Sequence, residues 1–465
     1  MFIYSRFVLV DDKEHHLVGL KRALDSLRLD CHSKLYSDET VADWVQLPGT
    51  RILFLDQNLT TGATFGSGDK VAFAALQEVI QKLICPDSGP YGLILWAEQP
   101  ELEAFKKEVF ERFTGDDSRF IPAFFAALRK GDYINTSTGG EIDAAKLRAD
   151  ILTRMSENPQ MKALMTWEAD CAAAVDAVLR SVVDLVPLEN RRSADFSVEL
   201  GKVLYRLSQA GAGAKKARDN PRESVNHVLV PILADRIAVH DPDSGRHFDW
   251  NESLVDSKEV PSLSAQAAVN TAIHLSSVQT LEDGKLSIKA TDLGSVINFP
   301  LGAVDEALQE KFGVSETQLR GELFRAKAGE WADCKLRLVQ IGASCDQAQP
   351  KPGPLLYLLG IEWSFANLDG SESADKPTMW LGNGDKFGRG IPCRASEWQS
   401  PVLRFPNAAN PGKLSVFKNL SFSCPPNLTK TWVPVYRLRE ALTDELTQEY
   451  ARYISRPGIV TLPAY

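Results

Sequence analysis

The sequence predicts an α/β fold in which an N-terminal doubly wound five-stranded parallel sheet precedes a helical region and a C-terminal β-rich or mixed α+β domain. Apolar strands alternate with amphipathic helices over residues 1–135, which is typical of crossover units and a parallel sheet. Residues 140–240 have helical periodicity, and residues 255–465 contain short apolar runs between Pro/Gly clusters. The predicted domains span residues 1–138, 139–250 and 251–465.

Each N-terminal element follows from a local pattern. Leucines at helical spacing predict the first helix, and Pro48 with Gly49 ends a short later one. The predicted strands are Phe7–Val10, Ser33–Tyr36, Ile52–Leu55, Tyr91–Trp96 and Ile121–Leu128. The predicted helices are 14–28, Val41–Leu47, Val71–Ile84 and Glu101–Phe113.

The later elements are predicted in the same way. The stretch AGAGAKKARDNPRE (210–223) is rich in Gly, Ala and charge and predicts an exposed loop. The predicted helices beyond residue 140 are Glu141–Ser156, Met161–Val186, Ser193–Gln209, 224–240, Gln318–Lys327 and Thr443–Tyr453. The apolar runs of the C-terminal domain are SVINFPLG, KLRLVQIG, GPLLYLLGIEW and TWVPVYRL.

Composition restricts the classes of function. The net charge of −9 and the pI of about 5.5 argue against a DNA-binding role. Every apolar run is shorter than the roughly 20 residues of a membrane helix, and the N-terminal segment lacks the features of a secretory signal. The seven cysteines form no CxxC pair, which favours reduced thiols. We therefore expect a cytoplasmic protein that binds neither DNA nor a membrane.

Acidic residues follow two of the predicted strands. Asp11 and Asp12 end the first strand, and Asp56 follows the third. In a parallel sheet these carboxylates project from the same edge, where they repel one another and raise each other's pKa. Mg²⁺ takes such oxygen ligands, so we predict a magnesium site beside an acid that acts as a nucleophile. Lys130, after the fifth strand, would pair with Asp56 or with a phosphoryl group on it, and Asn58 could offer its backbone carbonyl to the metal.

With these residues the chain resembles the receiver domain of two-component response regulators. The resemblance is carried by VLVDD (8–12), LFLDQNL (53–59), LILWAEQ (93–99) and ALRKGDY (127–133), in the family's order. It implies a sheet of order 2-1-3-4-5, Asp56 as phosphoacceptor and a sensor histidine kinase as phosphoryl donor. It also implies Asp11, Asp12, Asp56 and the Asn58 backbone carbonyl as Mg²⁺ ligands, and Lys130 as the phosphate-pairing cation.

The chain departs from the family at the end of the fourth strand. Receivers carry a Thr or Ser there that couples phosphorylation to a switch, whereas this chain has Trp96 or Ala97, depending on the alignment. The acceptor is thus intact, while the switch hydroxyl and an evident effector motif are missing. We hypothesise a phosphate sink that competes with a second response regulator for the same kinase, as in antiphage defence systems such as Detocs. No catalysis is expected beyond self-phosphorylation from the kinase phosphohistidine.

Two alternatives remain open from the sequence. The first is a pseudo-receiver scaffold that binds partner proteins without being phosphorylated. The second is an enzyme with a C-terminal site around Cys345, Asp346 and Gln349, because a cysteine at a strand end could be a nucleophile. His15 and His16 lie near the start of a surface helix and are expected to be solvated.

Overall fold

The chain forms two compact units. They are Met1–Asp176 with Ile237–Val255, and Ala177–Arg236 with Asp256–Tyr465. The three-part domain division expected from the sequence stays a prediction. The computed structural model describes residues 6–59, 70–134, 142–192, 195–239, 250–256, 261–281, 284–299, 304–324, 330–342, 353–364 and 396–455. Among the described helices, none combines the length and apolar content needed to cross a membrane.

The first unit contains a five-stranded parallel sheet of order β2-β1-β3-β4-β5. The strands are β1 Phe7–Asp11, β2 Cys31–Leu35, β3 Ile52–Leu55, β4 Gly92–Ala97 and β5 Phe124–Arg129. The helices that begin in this unit are α1 Glu14–Ser26, α2 Lys70–Leu83, α3 Leu102–Phe105, α4 Ala144–Ser156 and α5 Pro159–Asp184. The predicted doubly wound sheet and its strand order are confirmed.

Two predicted helices of this unit are shorter than expected. Val41–Leu47 is reduced to the 3₁₀ turn Val41–Asp43 ahead of the Pro48-Gly49 break. Glu101–Phe113 becomes α3 followed by a π-turn over Lys106–Phe110. The wider π-turn brings Phe105 and Phe110 into edge-on contact, with ring centroids 5.6 Å apart in the core. The π-turn and the packing of these rings therefore occur together in the core.

Alternation along the strands sorts the apolar side chains onto two faces. Val8 and Val10 of β1 belong to the core under α2 and α3, whereas Phe7 and Leu9 belong to the core under α1 and α4. The same period of two puts Asp11 on the α1/α4 face. β3 and β5 follow the same alternation, so Asp56 and Lys130 reach that face at the carboxyl edge of the sheet.

The second unit contains a seven-stranded antiparallel sheet of order β10-β11-β9-β8-β7-β12-β6. Its strands are β6 Leu275–Ser277, β7 Ser295–Asn298, β8 Lys335–Ile341, β9 Leu355–Ser364, β10 Glu397–Gln399, β11 Gly412–Cys424 and β12 Pro434–Leu438. The helices that begin in this unit are α6 Leu188–Arg191, α7 Phe196–Asp219, α8 Pro221–Ala238, α9 Leu263–His274, α10 Val304–Phe312, α11 Glu316–Gln318 and α12 Glu440–Ile454. This confirms the expected mixed α+β C-terminal part.

The prediction of an exposed loop over residues 210–223 is wrong. α7 continues to Asp219, and α8 starts at Pro221. Alanine has the highest helix propensity, and Gly213 absorbs a kink by taking a φ of 80°. Asn220 caps the next helix, because its side-chain oxygen accepts a hydrogen bond from the Glu223 backbone N–H at 3.3 Å. A Gly/Ala-rich segment thus forms two closely spaced helices.

Two glycines on α7 provide a matched test of how tightly α7 packs against α8. A Cβ at Gly211 would meet Val228 Cγ2 at 2.5 Å, whereas a Cβ at Gly201 would meet no atom within 4 Å. We expect Gly211→Ala to lower the free energy of unfolding of this helical pair by about 1–3 kcal/mol through overpacking. Gly201→Ala should raise it by roughly 0.5–1 kcal/mol through helix propensity. Hydrogen exchange of α7 amides measures both; equal effects of the two substitutions would contradict the packing.

Candidate functional site

Asp56 lies at the carboxyl edge of the parallel sheet, directly after β3. All four residues of β3 are buried, and the Asp56 backbone N–H extends the pairing by donating to the Val10 carbonyl at 2.9 Å. The Asp56 residue is only 3% exposed. The buried strand β3 therefore places the Asp56 carboxyl group in a pocket that is almost inaccessible to solvent.

Lys130 joins the two buried acids of the pocket. Its Nζ lies 2.7 Å from Asp11 Oδ2 and 2.7 Å from Asp56 Oδ2. Both carboxylates and the ammonium are almost completely buried. Buried charges are tolerated when they are paired and hydrogen-bonded. Lys130, which follows β5, therefore neutralises acids that come from β1 and from the end of β3.

The pKa values in the pocket differ because each group balances burial against its neighbours differently. Burial raises the pKa of Asp56 to about 6, the charge of Asp11 adds to this, and Lys130 opposes it. Burial also favours the neutral form of Asp11, but its hydrogen bond with His16 and the charge of Lys130 outweigh burial and lower its pKa. Burial acts to lower the pKa of Lys130, but the Asp56 and Asp11 charges raise it overall. Lys130 therefore stays an ammonium.

His16 belongs to the pocket, which corrects the expectation of a solvated side chain. Its residue is 1% exposed, and its Nδ1 lies 3.3 Å from both Asp11 Oδ1 and Lys130 Nζ. His15 is exposed as expected. A signal was present in the sequence, because His16 lies four residues before Leu20 on the apolar face of α1.

The three acids form a cluster that suits a hard cation. Oxygens of Asp11, Asp12 and Asp56 lie within 4.8 Å of one another. Asp12 Oδ1 is buried without a hydrogen-bond partner among the described residues, and burial followed by the charge of Asp11 raises the Asp12 pKa. With all groups ionised, the three carboxylates and the Lys130 ammonium leave two net negative charges. The residues present therefore fit Mg²⁺, which prefers oxygen ligands.

Asn58 lies at the rim of the pocket. Its side chain is exposed, and its backbone N–H donates to Asp56 Oδ1 at 3.3 Å. This contact fixes the direction of the Asp56 carboxylate. The proposed use of the Asn58 carbonyl as a metal ligand stays a prediction.

Trp96 and Ala97, the two candidates for the switch position, are both buried at the end of β4. The Trp96 ring packs beside Phe54, with centroids 6.4 Å apart, and beside Tyr133 at 5.5 Å. Trp96 therefore lies in the core on the α1/α4 face, and the register that pairs Leu55 with Leu95 places it beside Asp56. Neither residue supplies a hydroxyl group.

The predicted C-terminal site cannot be placed. Cys345, Asp346 and Gln349 belong to 343–352, which lies outside the described residues. β8 ends at Ile341, shortly before this segment. Its role as an enzyme site stays a prediction.

Comparisons with known proteins add two distant likenesses. No protein-family model and no curated protein matches the chain. Full-length FixJ from B. japonicum is similar at 10% identity and a TM-score of 0.20, over 51% of this chain and 91% of that chain. NtrX from Brucella abortus is similar at 12% identity and a TM-score of 0.21, over 62% of this chain and 50% of that chain.

Likenesses at such TM-scores carry no weight for function, so the chemistry is inferred from the pocket itself. A carboxylate with a pKa of about 6 is ionised at neutral pH. It lies beside a fixed ammonium and two further acids that suit a divalent cation. This combination can present an oxygen nucleophile to an anionic electrophile while neutralising the added negative charge.

Proposed function

We propose that the first unit accepts a phosphoryl group on Asp56 and that a histidine kinase supplies it. The observation that carries this proposal is the Lys130 ammonium, which contacts both Asp11 and Asp56 at 2.7 Å in a pocket that retains net negative charge. A purely structural ion pair needs one acid for one lysine. The additional acids, gathered at the edge where doubly wound sheets bind ligands, support a site for a cation and a phosphoryl group.

In the proposed transfer, this chain contributes Asp56 and Lys130. An Asp56 carboxylate oxygen attacks the phosphorus of the kinase phosphohistidine, a P–O bond forms, and the P–N bond breaks. The electron pair of that bond returns to the imidazole, which solvent protonates. Lys130, already within hydrogen-bond distance of Asp56, pairs with an oxygen of the transferred group. Catalysis therefore consists of positioning and charge neutralisation.

Asp11, Asp12 and Asp56 are the residues that would hold Mg²⁺. When bound, the ion would supply the positive charge that lets a dianionic group approach these carboxylates. The unpartnered Asp12 Oδ1 supports this assignment, because it is a buried acceptor that the described protein groups leave free.

Mg²⁺ binding should depend on pH in a defined direction. Asp56 holds a proton below its pKa of about 6, and the ion must displace that proton. We expect the affinity to be level above pH 6 and to fall by up to about tenfold per pH unit below it. Asp12→Ala should weaken binding by about tenfold or more at every pH, because one charged ligand is lost. Calorimetric titration measures both effects; equal affinities at pH 5 and pH 7 would contradict the assignment.

Binding of beryllofluoride, a phosphoryl mimic, tests the proposed function without the kinase. In the presence of Mg²⁺, we expect a protein-bound ¹⁹F resonance that disappears in Asp56→Ala. A chain that gives no bound resonance would instead favour the pseudo-receiver scaffold. The competing-regulator and antiphage buffering roles stay predictions, because no described residue bears on them.

A further inference from the structure

The Trp96 indole N–H is a buried hydrogen-bond donor in the core next to the pocket. The residue is 1% exposed, and its Nε1 has no acceptor among the residues that the structure describes. An indole nitrogen only donates hydrogen bonds. Leaving a buried donor unsatisfied costs about 1–3 kcal/mol, so this N–H calls for a physical reason.

Trp96 occupies the position next to Asp56 across the sheet. The parallel register pairs Leu55 with Leu95, and one further step along both strands places Asp56 beside Trp96. The contact between the Phe54 and Trp96 rings shows that Trp96 lies on the same face as Phe54. Asp56 follows Phe54 by two residues, so it shares this face. Negative charge added to Asp56 would thus develop on the side of the sheet that holds the indole.

Both carboxylate oxygens of Asp56 have donors other than the indole. Asp56 Oδ2 is 2.7 Å from Lys130 Nζ, and Asp56 Oδ1 accepts a hydrogen bond from the Asn58 N–H. Each carboxylate oxygen of Asp56 therefore already has a donor. A phosphoryl group would add oxygen acceptors that these donors do not satisfy.

Tyr133 connects the indole to α4. The Trp96 and Tyr133 ring centroids are 5.5 Å apart at an interplanar angle of 38°. The Tyr133 hydroxyl donates to Asp150 Oδ2 on α4 at 2.5 Å. Lys146, also on α4, places its Nζ 5.0 Å from the Tyr133 ring centroid and donates to the Asp132 carbonyl at 3.0 Å. The polar contacts of α4 thus reach Asp132 and Tyr133, in the segment that follows β5. Tyr133 is the residue whose ring lies beside the indole.

The apolar side of α4 packs against the same core. Leu147 and Ile151 are buried in the cluster that contains Trp96 and Tyr133. Because close-packed cores leave little free space, movement of the indole has to be accommodated by its neighbours in this core, and Tyr133 and α4 are among them.

On the basis of the proposed function, we propose that Trp96 senses the group on Asp56. Its indole N–H donates to a phosphoryl oxygen, and the resulting shift of the ring is passed through Tyr133 and Asp150 to α4. When Asp56 carries the phosphoryl group (the loaded state), the Tyr133–Asp150 hydrogen bond is weakened, and α4 packs less tightly against the core. The chain would thus signal the state of Asp56 without a hydroxyl group at the end of β4.

The test uses the full chain with Mg²⁺, in the presence and absence of beryllofluoride. We expect one indole N–H resonance to move on beryllofluoride binding, and Trp96→Phe identifies it by its absence. Hydrogen exchange of α4 amides should become about fivefold faster in the loaded wild type. In Tyr133→Phe the indole shift and the bound ¹⁹F resonance should persist, while the response of α4 is lost.

Tyr91→Phe is the matched control. The Tyr91 hydroxyl donates to the Phe120 carbonyl at 2.6 Å, but Tyr91 lies in the core on the opposite face of the sheet. In Tyr91→Phe, the increase in hydrogen exchange of α4 amides on beryllofluoride binding should equal that of the wild type. A bound ¹⁹F resonance with an unmoved Trp96 indole, or an α4 response that survives in Tyr133→Phe, would overturn the sensing role alone. Absence of the ¹⁹F resonance from the wild type would overturn both this role and the proposed function.

Discussion

Replacing Asp56 with Asn is expected to abolish phosphoryl uptake from phosphoramidate, a small donor with a P–N bond, to the background level. The amide has nearly the shape of the carboxyl group but is far less nucleophilic. Lys130 would keep Asp11 as a charged partner at 2.7 Å, so the pocket should remain folded. Incorporation of radiolabelled phosphate into wild type and variant, compared at pH 7.5 with Mg²⁺, measures the effect.

Asp87→Asn is the control for this prediction. The Asp87 side chain is 83% exposed and pairs with Arg119 on the surface, so its replacement should leave phosphoryl uptake at the wild-type rate. Equal labelling of Asp56→Asn and wild type would show that the phosphoryl group is carried elsewhere.

Lys130→Met should produce the largest loss of stability in the first unit. The substitution removes the ammonium from between Asp11 and Asp56 and leaves two buried carboxylates without their cation. Removing one partner of a buried ion pair costs about 3–5 kcal/mol. Hydrogen exchange of the β1 and β3 amides at pH 7.5 reports this loss as faster opening.

The loss caused by Lys130→Met should depend on pH. In the wild type the pKa of Asp56 is about 6, raised from 3.8, so ionising this group costs stability as pH rises through that range and Lys130 limits the cost. Without the lysine the cost grows, and protonation of the carboxyl groups below pH 6 should relieve part of it. Lys21→Met, at an exposed position on α1, should change stability by less than about 0.5 kcal/mol. A pH-independent loss would contradict the charge argument.

The sequence predicts the first unit well because its signals are local. Apolar runs such as Ile52–Leu55 specify buried strands, and the alternation of strands with helices specifies a parallel sheet. The acids follow strand ends, so the edge at which they meet follows from the topology. The sequence predicts Lys130 beside Asp56, whereas its contact with Asp11, 119 positions away, is not among the predicted pairs.

Other features need either the position of a residue on its helix face or packing that no local pattern contains. Polarity alone predicts a solvated His16, although its place on the apolar face of α1 buries it in the pocket. The π-turn at Lys106–Phe110 accompanies the packing of Phe105 against Phe110, residues whose contact the sequence pattern does not indicate. In the second unit, Arg337 on β8 pairs with Glu362 on β9 at 2.8 Å, both buried. That pair depends on antiparallel pairing between distant segments, which the sequence does not specify.

Locating the phosphoryl group on the chain decides whether Asp56 is the residue that carries it. The wild-type chain would be phosphorylated with phosphoramidate and Mg²⁺, treated with borohydride to reduce the acyl phosphate, and analysed by peptide mass spectrometry. We predict reduction at one position, Asp56, within the peptide that contains ILFLDQN. A phosphoryl group recovered on a histidine or on a different carboxylate, with Asp56 unmodified, would show that Asp56 is not the phosphoacceptor.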